Sequence, residues 1–357
     1  MSAALRLPLL SPHTAELELC GYCPKLCRAA CPVSNAEPRD TITPWGKMNA
    51  AWGMLRAQAP VDAEHARLAW ACTSCYACRE RCEHQNPVAR VLGSARAEAY
   101  AAGVAPAAAR RVAARHTERL RRWTPHLAEL AELPGVNPSS AVALVIGCSY
   151  LALGKEARDI VLSAVRLVGA VRLVEGCCGA PLQYAGDESG FQRARQRLLD
   201  ACQGCKLLVA DPGCAVLLGP GRSVTPVELA ARQLESFKPI SFAEAAPLRW
   251  HDPCQLGRGL GQYQAPRAVL TRLLGGAPEE FICRREHGSC SGAGALLPLT
   301  MPRHAARIAD ARIAEHRRLG GGTIVTACGS ALRRFRARGA PALDLVTLMR
   351  RSLVGDG

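Results

Sequence analysis

Eight thiols in two short runs constrain this chain more than any other feature. The stretch "CGYCPKLCRAACP" (20–32) spaces Cys20, Cys23, Cys27 and Cys31 as C-x2-C-x3-C-x3-C, and "CTSCYACRERC" (72–82) spaces Cys72, Cys75, Cys78 and Cys82 as C-x2-C-x2-C-x3-C. The remaining cysteines, of 18 in all, are scattered singly or in pairs. Thiols packed this closely are joined as disulfides, bound to zinc, built into an iron–sulfur cluster or kept free for catalysis. Each choice makes a different protein.

Disulfides are the weakest choice. At 357 residues the chain is long enough for two or three domains with genuine cores, so it needs no covalent staples. The opening "MSAALRLPLLSPHTAELEL" breaks its apolar stretch at Pro8 and Pro12, unlike a secretory signal. No apolar run is long enough to span a bilayer. A cytoplasmic, thiol-preserving location is therefore expected, where many cysteines read as metal or redox ligands.

The second run has the spacing of bacterial ferredoxins: three thiolates on one tight loop wrap three irons of a 4Fe–4S cube, and the fourth ligand comes from elsewhere. In two-cluster ferredoxins the last cysteine of each run reaches across to the other cube. That logic assigns Cys20, Cys23, Cys27 and Cys82 to one cluster and Cys72, Cys75, Cys78 and Cys31 to the other. The first run is one residue longer in its middle gap, and no proline follows Cys82 directly; neither departure removes a ligand. A four-thiolate zinc site prefers two well-separated C-x2-C knuckles, whereas here four cysteines stand in a row, twice. Two 4Fe–4S clusters are the expectation.

Around these runs the sequence predicts helices near 45–58, 61–72 and 87–102. An Ala/Arg-rich helix at 107–123 carries six Arg against one Glu and leads into the linker-like "LPGVNPSS" (133–140). Past it the texture becomes α/β. Short apolar runs in "AVALVIGC" (141–148), "AVRLVEGCCG" (170–179) and "KLLVADPGC" (206–214) each end at a cysteine. The arrangement recurs in "PLRWHDPC" (247–254), "EEFIC" leading to "GSCSGAG" (279–294), and "GGTIVTACGS" (321–330), with helices predicted at 153–168, 265–274 and 302–318. Strands alternating with helices imply parallel βαβ units, whose carboxyl edge is where ligands bind. The second set follows the first by 106 residues (148 to 254) and by 113 (177 to 290), the mark of an internal duplication. The fold expected is α+β and multidomain: an extension at 1–17, a mainly helical two-cluster ferredoxin-like domain at 18–103, a basic helix and linker at 104–140, and cysteine-rich α/β repeats at 141–240 and 241–357.

"CCG" at 177–179, with Cys148 before it and "DPGC" ending at Cys214 after it, resembles the cysteine-rich CCG domain of the heterodisulfide reductase and glycolate oxidase families. "HDPC" closing on Cys254, "CSGAG" (290–294) and "TACGSA" (326–331) resemble a second copy. With the ferredoxin runs, the chain is similar over about residues 18–348 to the iron–sulfur subunit of glycolate oxidase. It is equally similar to the C-type subunit of anaerobic glycerol-3-phosphate dehydrogenase and to the D-type heterodisulfide reductase subunit. Against that pattern, Asp211 and Ala331 each stand where a C-x-x-C has a cysteine, and Ser291 stands for the second cysteine of CCG. Repeat one keeps Cys148, Cys177, Cys178 and Cys214, enough for one further cluster. Repeat two keeps Cys254, Cys290 and Cys328, enough only with an outside ligand such as Cys283 or His287. Gly179 and Gly292 are the glycines expected to let backbone approach a cluster.

The resemblance implies an oxidoreductase subunit that relays electrons from a flavoprotein dehydrogenase, acting on a 2-hydroxy acid or similar substrate, toward quinone or another acceptor. The alternative it implies is a thiol–disulfide reductase with a cluster at the CCG site. No G-x-G-x-x-G after a strand, P-loop or Ser-His-Asp signature suggests organic chemistry by this chain alone. The net charge of +15 could dock an acidic partner or the anionic inner face of a membrane. No nucleic-acid partner is expected, because no aromatics interleave the basic residues. Cys202 and Cys205 read as structural cysteines, His251 as a hydrogen-bonded loop residue and Asp252 as a helix cap.

Overall fold

The computed structural model describes residues 7–219, 221–240 and 247–354. The first residues of the expected extension and the junction expected at 240/241 thus lie partly outside the described residues. The chain gathers into two compact units, each drawn from several stretches: Met1–His116, Gly179–Gln192 and Ser289–Arg312 in one, and Thr117–Cys178, Arg193–Gly288 and Ile313–Gly357 in the other.

The first unit is mainly helical. Pro44–Leu55 starts where a helix should, with Pro44 in the first turn and the Thr43 hydroxyl accepting the Gly46 N–H at 3.0 Å. Its Met48, Ala51 and Met54 fall at helical spacing and are buried with Leu10, Leu17, Val91 and Leu92. Those partners come from the amino terminus, from Thr14–Gly21 and from Val88–Ala101. The helix expected over 61–72 is shorter: Asp62 caps Ala63–Ala66, and the chain tightens into a 3-10 turn at Arg67–Trp70. That turn buries Trp70, whose indole N–H donates to the Tyr184 carbonyl at 3.0 Å. The single basic helix expected at 107–123 is two, Ala107–Ala114 and His116–Arg121, and a further helix, Thr124–Ala131, follows in the second unit. The breaks fall at Arg115, which leaves helical backbone angles, and before Pro125, which suits a helix start.

The second unit holds two parallel sheets. In the first, β1 (Val142–Val145) lies between β2 (Arg172–Leu173) and β3 (Lys206–Val209). In the second the order is β5-β4-β6-β7, from β5 (Glu279–Glu280), β4 (Leu248–Trp250), β6 (Thr323–Thr326) and β7 (Ala342–Asp344). Every pairing is parallel. A parallel bridge from Leu208 to Val224 occupies in the first sheet the place β7 takes in the second. The two repeats therefore share one topology, as a duplication requires. The "LPGVNPSS" segment adds a bridge of its own, Val136 to Val171, which ties it to the first sheet.

Both sheets feed one core. Leu144, Ile146 and Leu208 of the first repeat are buried in the same cluster as Trp250 and Val325 of the second. The helices Lys155–Val168, Gln264–Leu274 and Leu345–Val354 supply Ile160, Val161, Leu270, Leu348 and Met349. A second cluster around Phe281, Ile324, Leu332 and Phe335 completes the unit. His251 lies in the loop after β4, its N–H donating to the Val325 carbonyl at 2.8 Å, and Asp252 alone departs from its sequence reading. His251 is buried and packs edge-on against Phe335, ring centroids 4.9 Å apart. Asp252 caps no helix. Its carboxylate takes the Arg267 guanidinium at 2.8 and 2.9 Å, the Trp250 indole N–H at 2.9 Å and the Arg285 N–H at 2.7 Å. Arg267 holds its carboxyl below the ordinary value although burial opposes that. No described helix is long and apolar enough to cross a membrane.

Candidate redox centres

The two N-terminal runs form two thiol groups, each taking one member from the other run. Cys20 ends the Thr14–Gly21 helix, and the loop after it turns through Lys25 at φ +68°. Cys27, Cys23 and Cys82 surround Cys20; burial first, then these three sulfurs, push its thiol up to about 12. Burial and the neighbouring sulfurs likewise raise Cys27, to about 11. Asn86 donates its Nδ2 to Cys20 Sγ at 3.2 Å and to the Glu16 carbonyl at 2.8 Å.

In the second group, burial first and then Cys72, Cys75, Cys31 and Cys27 raise the Cys78 thiol well above the ordinary value. Cys31, Cys72, Cys75 and Cys78 line one pocket, walled by Val88 and Leu92. Its loop is bent by two non-glycine residues in left-handed backbone, Ser74 at φ +52° and Tyr76 at φ +62°. Such conformations cost free energy and persist where surrounding structure imposes them. The Ser74 N–H donates to Cys72 Sγ at 3.3 Å, and the buried Arg96 pins the loop's start through the Ala69 and Cys72 carbonyls at 2.9 and 3.0 Å.

Packed thiols that raise one another in this way are poor anions alone; a metal that replaces their protons relieves the conflict. Among the described residues no three His, Cys, Asp or Glu groups close tightly enough for a single metal ion. Lys47 supplies a direct test of fit. It is 2% exposed, and its Nζ lies 3.4 Å from Cys31 Sγ. Burial would lower the lysine, but Cys31, Cys72 and Cys78 hold it above its ordinary value. A buried ammonium needs an anion, and four thiolates around an iron–sulfur cube carry net negative charge. The residues fit the group.

Gly294 of the second repeat packs on this loop, where a Cβ would stand 2.2 Å from the Thr73 carbonyl oxygen. Gly294→Ala is expected to displace that carbonyl between two ligand-bearing positions at a cost of about 1–3 kcal/mol. An iron count should fall in this variant. Gly93→Ala, which meets nothing within 4 Å, should leave it unchanged.

In the second unit the cysteines follow the strand ends. Gly147, at φ +87°, lets β1 turn into Cys148; a Cβ there would lie 2.7 Å from Asp211 Cβ and 3.4 Å from Cys214 Sγ. Cys178 Sγ and Cys214 Sγ are 3.0 Å apart. Cys148 and Cys177 are the other sulfurs facing Cys214, whose thiol is pushed up to about 12: the Cys178 hydrogen bond opposes the rise, but burial and the nearby charges prevail. The four thiols of repeat one are thus gathered at one place. The guanidinium of Arg119 approaches Cys148 Sγ at 3.9 Å. Asp211, standing where the pattern has a cysteine, is engaged otherwise. It caps Pro212–Leu218 by accepting the Gly213 N–H at 2.8 Å, and it accepts the Ser149 hydroxyl.

Cys254 and Cys328 follow β4 and β6, and Cys328 has Asp211 and Cys254 among its charged neighbours. Each pair of central strands, β1/β3 and β4/β6, flanks the point where strand order reverses, the place where parallel sheets bind ligands. The edges of the two repeats face each other: a Cβ on Gly329 would lie 2.8 Å from Ser149 Oγ. Cys290 belongs to the other unit, where its Sγ accepts the Gly292 N–H at 3.3 Å. The space left by Gly179 is filled by Phe191, and that left by Gly292 by the Ala305 carbonyl and Ile308. Cys283 is exposed, and His287 lies beside Glu286 at 3.7 Å. Cys205 Sγ accepts from Arg172 at 3.2 Å next to the buried Cys202.

Lys47, Asn86 and Arg119 are the contacts that motif reading missed. Lys47 had a signal: it stands four and seven residues before Ala51 and Met54, on the apolar stripe of its helix.

Residues 16–86 match the family described as a 4Fe-4S dicluster domain. Residues 142–219 and 248–333 match a cysteine-rich domain. The B-type subunit of a fumarate reductase (CoM/CoB) from Methanothermobacter marburgensis is 25% identical over 275 residues, 72% of this chain. The chain spans only 55% of that relative's length. The D-type subunit of a dihydromethanophenazine:CoB–CoM heterodisulfide reductase from Methanosarcina barkeri is 24% identical over 367 aligned positions, covering 90% of this chain and 88% of the relative. A probable membrane-anchored ferredoxin from Chromohalobacter salexigens is 37% identical over 90 residues, 25% of this chain and 13% of that protein.

Proposed function

We propose that this chain, which joins a 4Fe-4S dicluster domain to two cysteine-rich domains and is homologous to iron–sulfur subunits of reductases, is the electron-relay subunit of a larger oxidoreductase. The dicluster domain carries two 4Fe–4S clusters. Cys20, Cys23, Cys27 and Cys82 would hold one, and Cys31, Cys72, Cys75 and Cys78 the other. When bound, such clusters supply one-electron transfer at potentials set by charge, hydrogen bonds and burial. The chain's own residues supply those settings: Asn86 and the Ser74 N–H donate to ligand sulfurs, Lys47 brings a cation, and Val88 and Leu92 limit water.

The observation that supports this reading is that Cys31 of the first run lines one pocket with Cys72, Cys75 and Cys78 of the second, while Cys82 is among the sulfurs that act on Cys20. The donor we propose is a flavoprotein dehydrogenase acting on a 2-hydroxy acid or similar substrate, with quinone or another carrier as acceptor. Arg111, Arg115 and Arg121 lie exposed on the basic helices and suit an acidic partner or an anionic membrane face. Arg119 turns to Cys148, Arg110 to the Gly103 carbonyl and Arg122 to Glu118.

The four gathered thiols of repeat one favour a second reading, a reductase of mixed disulfides. Their site would take a further cluster and deliver two electrons and two protons to a disulfide, releasing two thiols. An anaerobic iron and acid-labile sulfide count with low-temperature EPR separates the readings. About eight iron per chain means the two cubes alone, and about twelve means that the CCG site is loaded too. Reduction of a small heterodisulfide by the chain with an artificial donor, lost in Cys178→Ser, would establish the second reading. Colourless protein carrying zinc would end both.

A further inference from the structure

We infer that Lys47 sets the order in which the two cubes are reduced, by placing a buried positive charge against the Cys31, Cys72, Cys75 and Cys78 site. This rests on the assignment of those eight cysteines as ligands. Lys47 is delivered inward by its helix. The Thr43 cap and Pro44 fix where Pro44–Leu55 begins, and Lys47 then shares the buried stripe with Ala51 and Met54. Its ammonium meets Cys31 Sγ at 3.4 Å, and among the described residues no carboxylate lies within ion-pair distance of it. The groups of opposite charge that act on it are the sulfurs of Cys31, Cys72 and Cys78.

A buried cation without a carboxylate partner is costly, and here its attraction acts through a low-dielectric interior where charges are felt strongly. Adding one electron to a cube makes that site more negative by one charge. Lys47 therefore favours the reduced state of the site it touches and raises its potential. The Cys20, Cys23, Cys27 and Cys82 site receives a neutral donor instead, Asn86 Nδ2 at 3.2 Å from Cys20 Sγ. Electron exchange between the two sites is a one-electron equilibrium, in which one is oxidised as the other is reduced. The lysine biases it toward the Cys31 side, which gives the relay a direction.

The test is an EPR-monitored redox titration of the anaerobically purified full chain, with iron and sulfide counted in each sample. Lys47→Gln keeps an N–H donor without the charge, Lys47→Met removes both, and Lys47→Arg keeps the charge. Cys31→Ala and Cys82→Ala assign the two signals. The expected result is that Lys47→Gln and Lys47→Met lower the midpoint of the Cys31-dependent signal alone. The shift should be at least tenfold in the reduced-to-oxidised ratio, about 59 mV for one electron, with Lys47→Arg closest to the parent. An unmoved midpoint in a fully loaded Lys47→Gln protein overturns the inference. So does loss of half the iron in both uncharged variants, which would make Lys47 a support for the ligand loop. If the parent chain lacks two cubes, the ligand assignment fails first. If it holds both and Lys47→Gln shifts nothing, only the inference fails.

Discussion

Replacing Cys82 with alanine is expected to empty the site built on the opposite run, taking the iron content of the N-terminal region from about eight to about four per chain. Cys82 is nearest in sequence to Cys78, so a simple reading has each run bind its own cube. In the structure Cys31 lines one pocket with Cys72, Cys75 and Cys78, and Cys82 is among the sulfurs that act on Cys20. Alanine cannot ligate, and the binding free energy of a metal site is also folding free energy of the loops that make it. The order of the 20–31 loop should fall with that site. EPR makes the prediction specific: the spectrum of Cys82→Ala should match that of Cys23→Ala, and Cys31→Ala should match Cys75→Ala. A match of Cys82→Ala with Cys75→Ala would show each run to be self-contained.

Those spacings were legible because iron–sulfur ligation leaves few other uses for four cysteines in a row. The cysteines at strand ends were legible for a related reason. A short apolar run stopped by glycine marks a buried parallel strand, and the residues just past its carboxyl end fall at the binding edge. β7 lacked that mark. It is three residues long and runs directly into the Leu345–Val354 helix, so no apolar run sets it apart. Asp252 was misread because its partners Arg267 and Arg285 lie 15 and 33 residues away, and a local pattern cannot contain such a pair. The basic stretch at 107–123 was read as one helix because Ala and Arg both favour helix. Propensity is blind to the turn at Arg115 and to the use of Arg119 at Cys148. The departures of repeat two from the CCG pattern were plain in the sequence. The arrangement they leave behind was not: Cys254 and Cys328 lie in one unit beside Asp211 of repeat one, and Cys290 belongs to the other.

Asp344 joins the two repeats and should give the second unit a measurable pH dependence. It ends β7, is fully buried, and accepts the Tyr150 hydroxyl at 2.8 Å and the Val346 N–H at 2.9 Å. Burial pushes its carboxyl up to about 7; the two hydrogen bonds oppose that, the nearby Glu156 adds to it, and Arg336 offsets little because it pairs with Glu156 at 2.7 Å. The folded value lies above the unfolded one, so the folded state binds this proton more tightly. Its stability contribution is fully present below pH ~4, and is lost as pH rises to the folded value near 7. The slope is about 1.4 kcal/mol per pH unit, or about 4 kcal/mol across the window. Asp344→Asn keeps an oxygen for Val346 and cannot ionise, while the Tyr150 phenol can accept from the new amide. In anaerobic guanidinium unfolding the variant should gain on the parent steadily from pH 5 to 7 and hold its lead at pH 8. A difference that stays flat over that range would mean that water or a rearranged Arg336 already neutralises the carboxylate in the native fold.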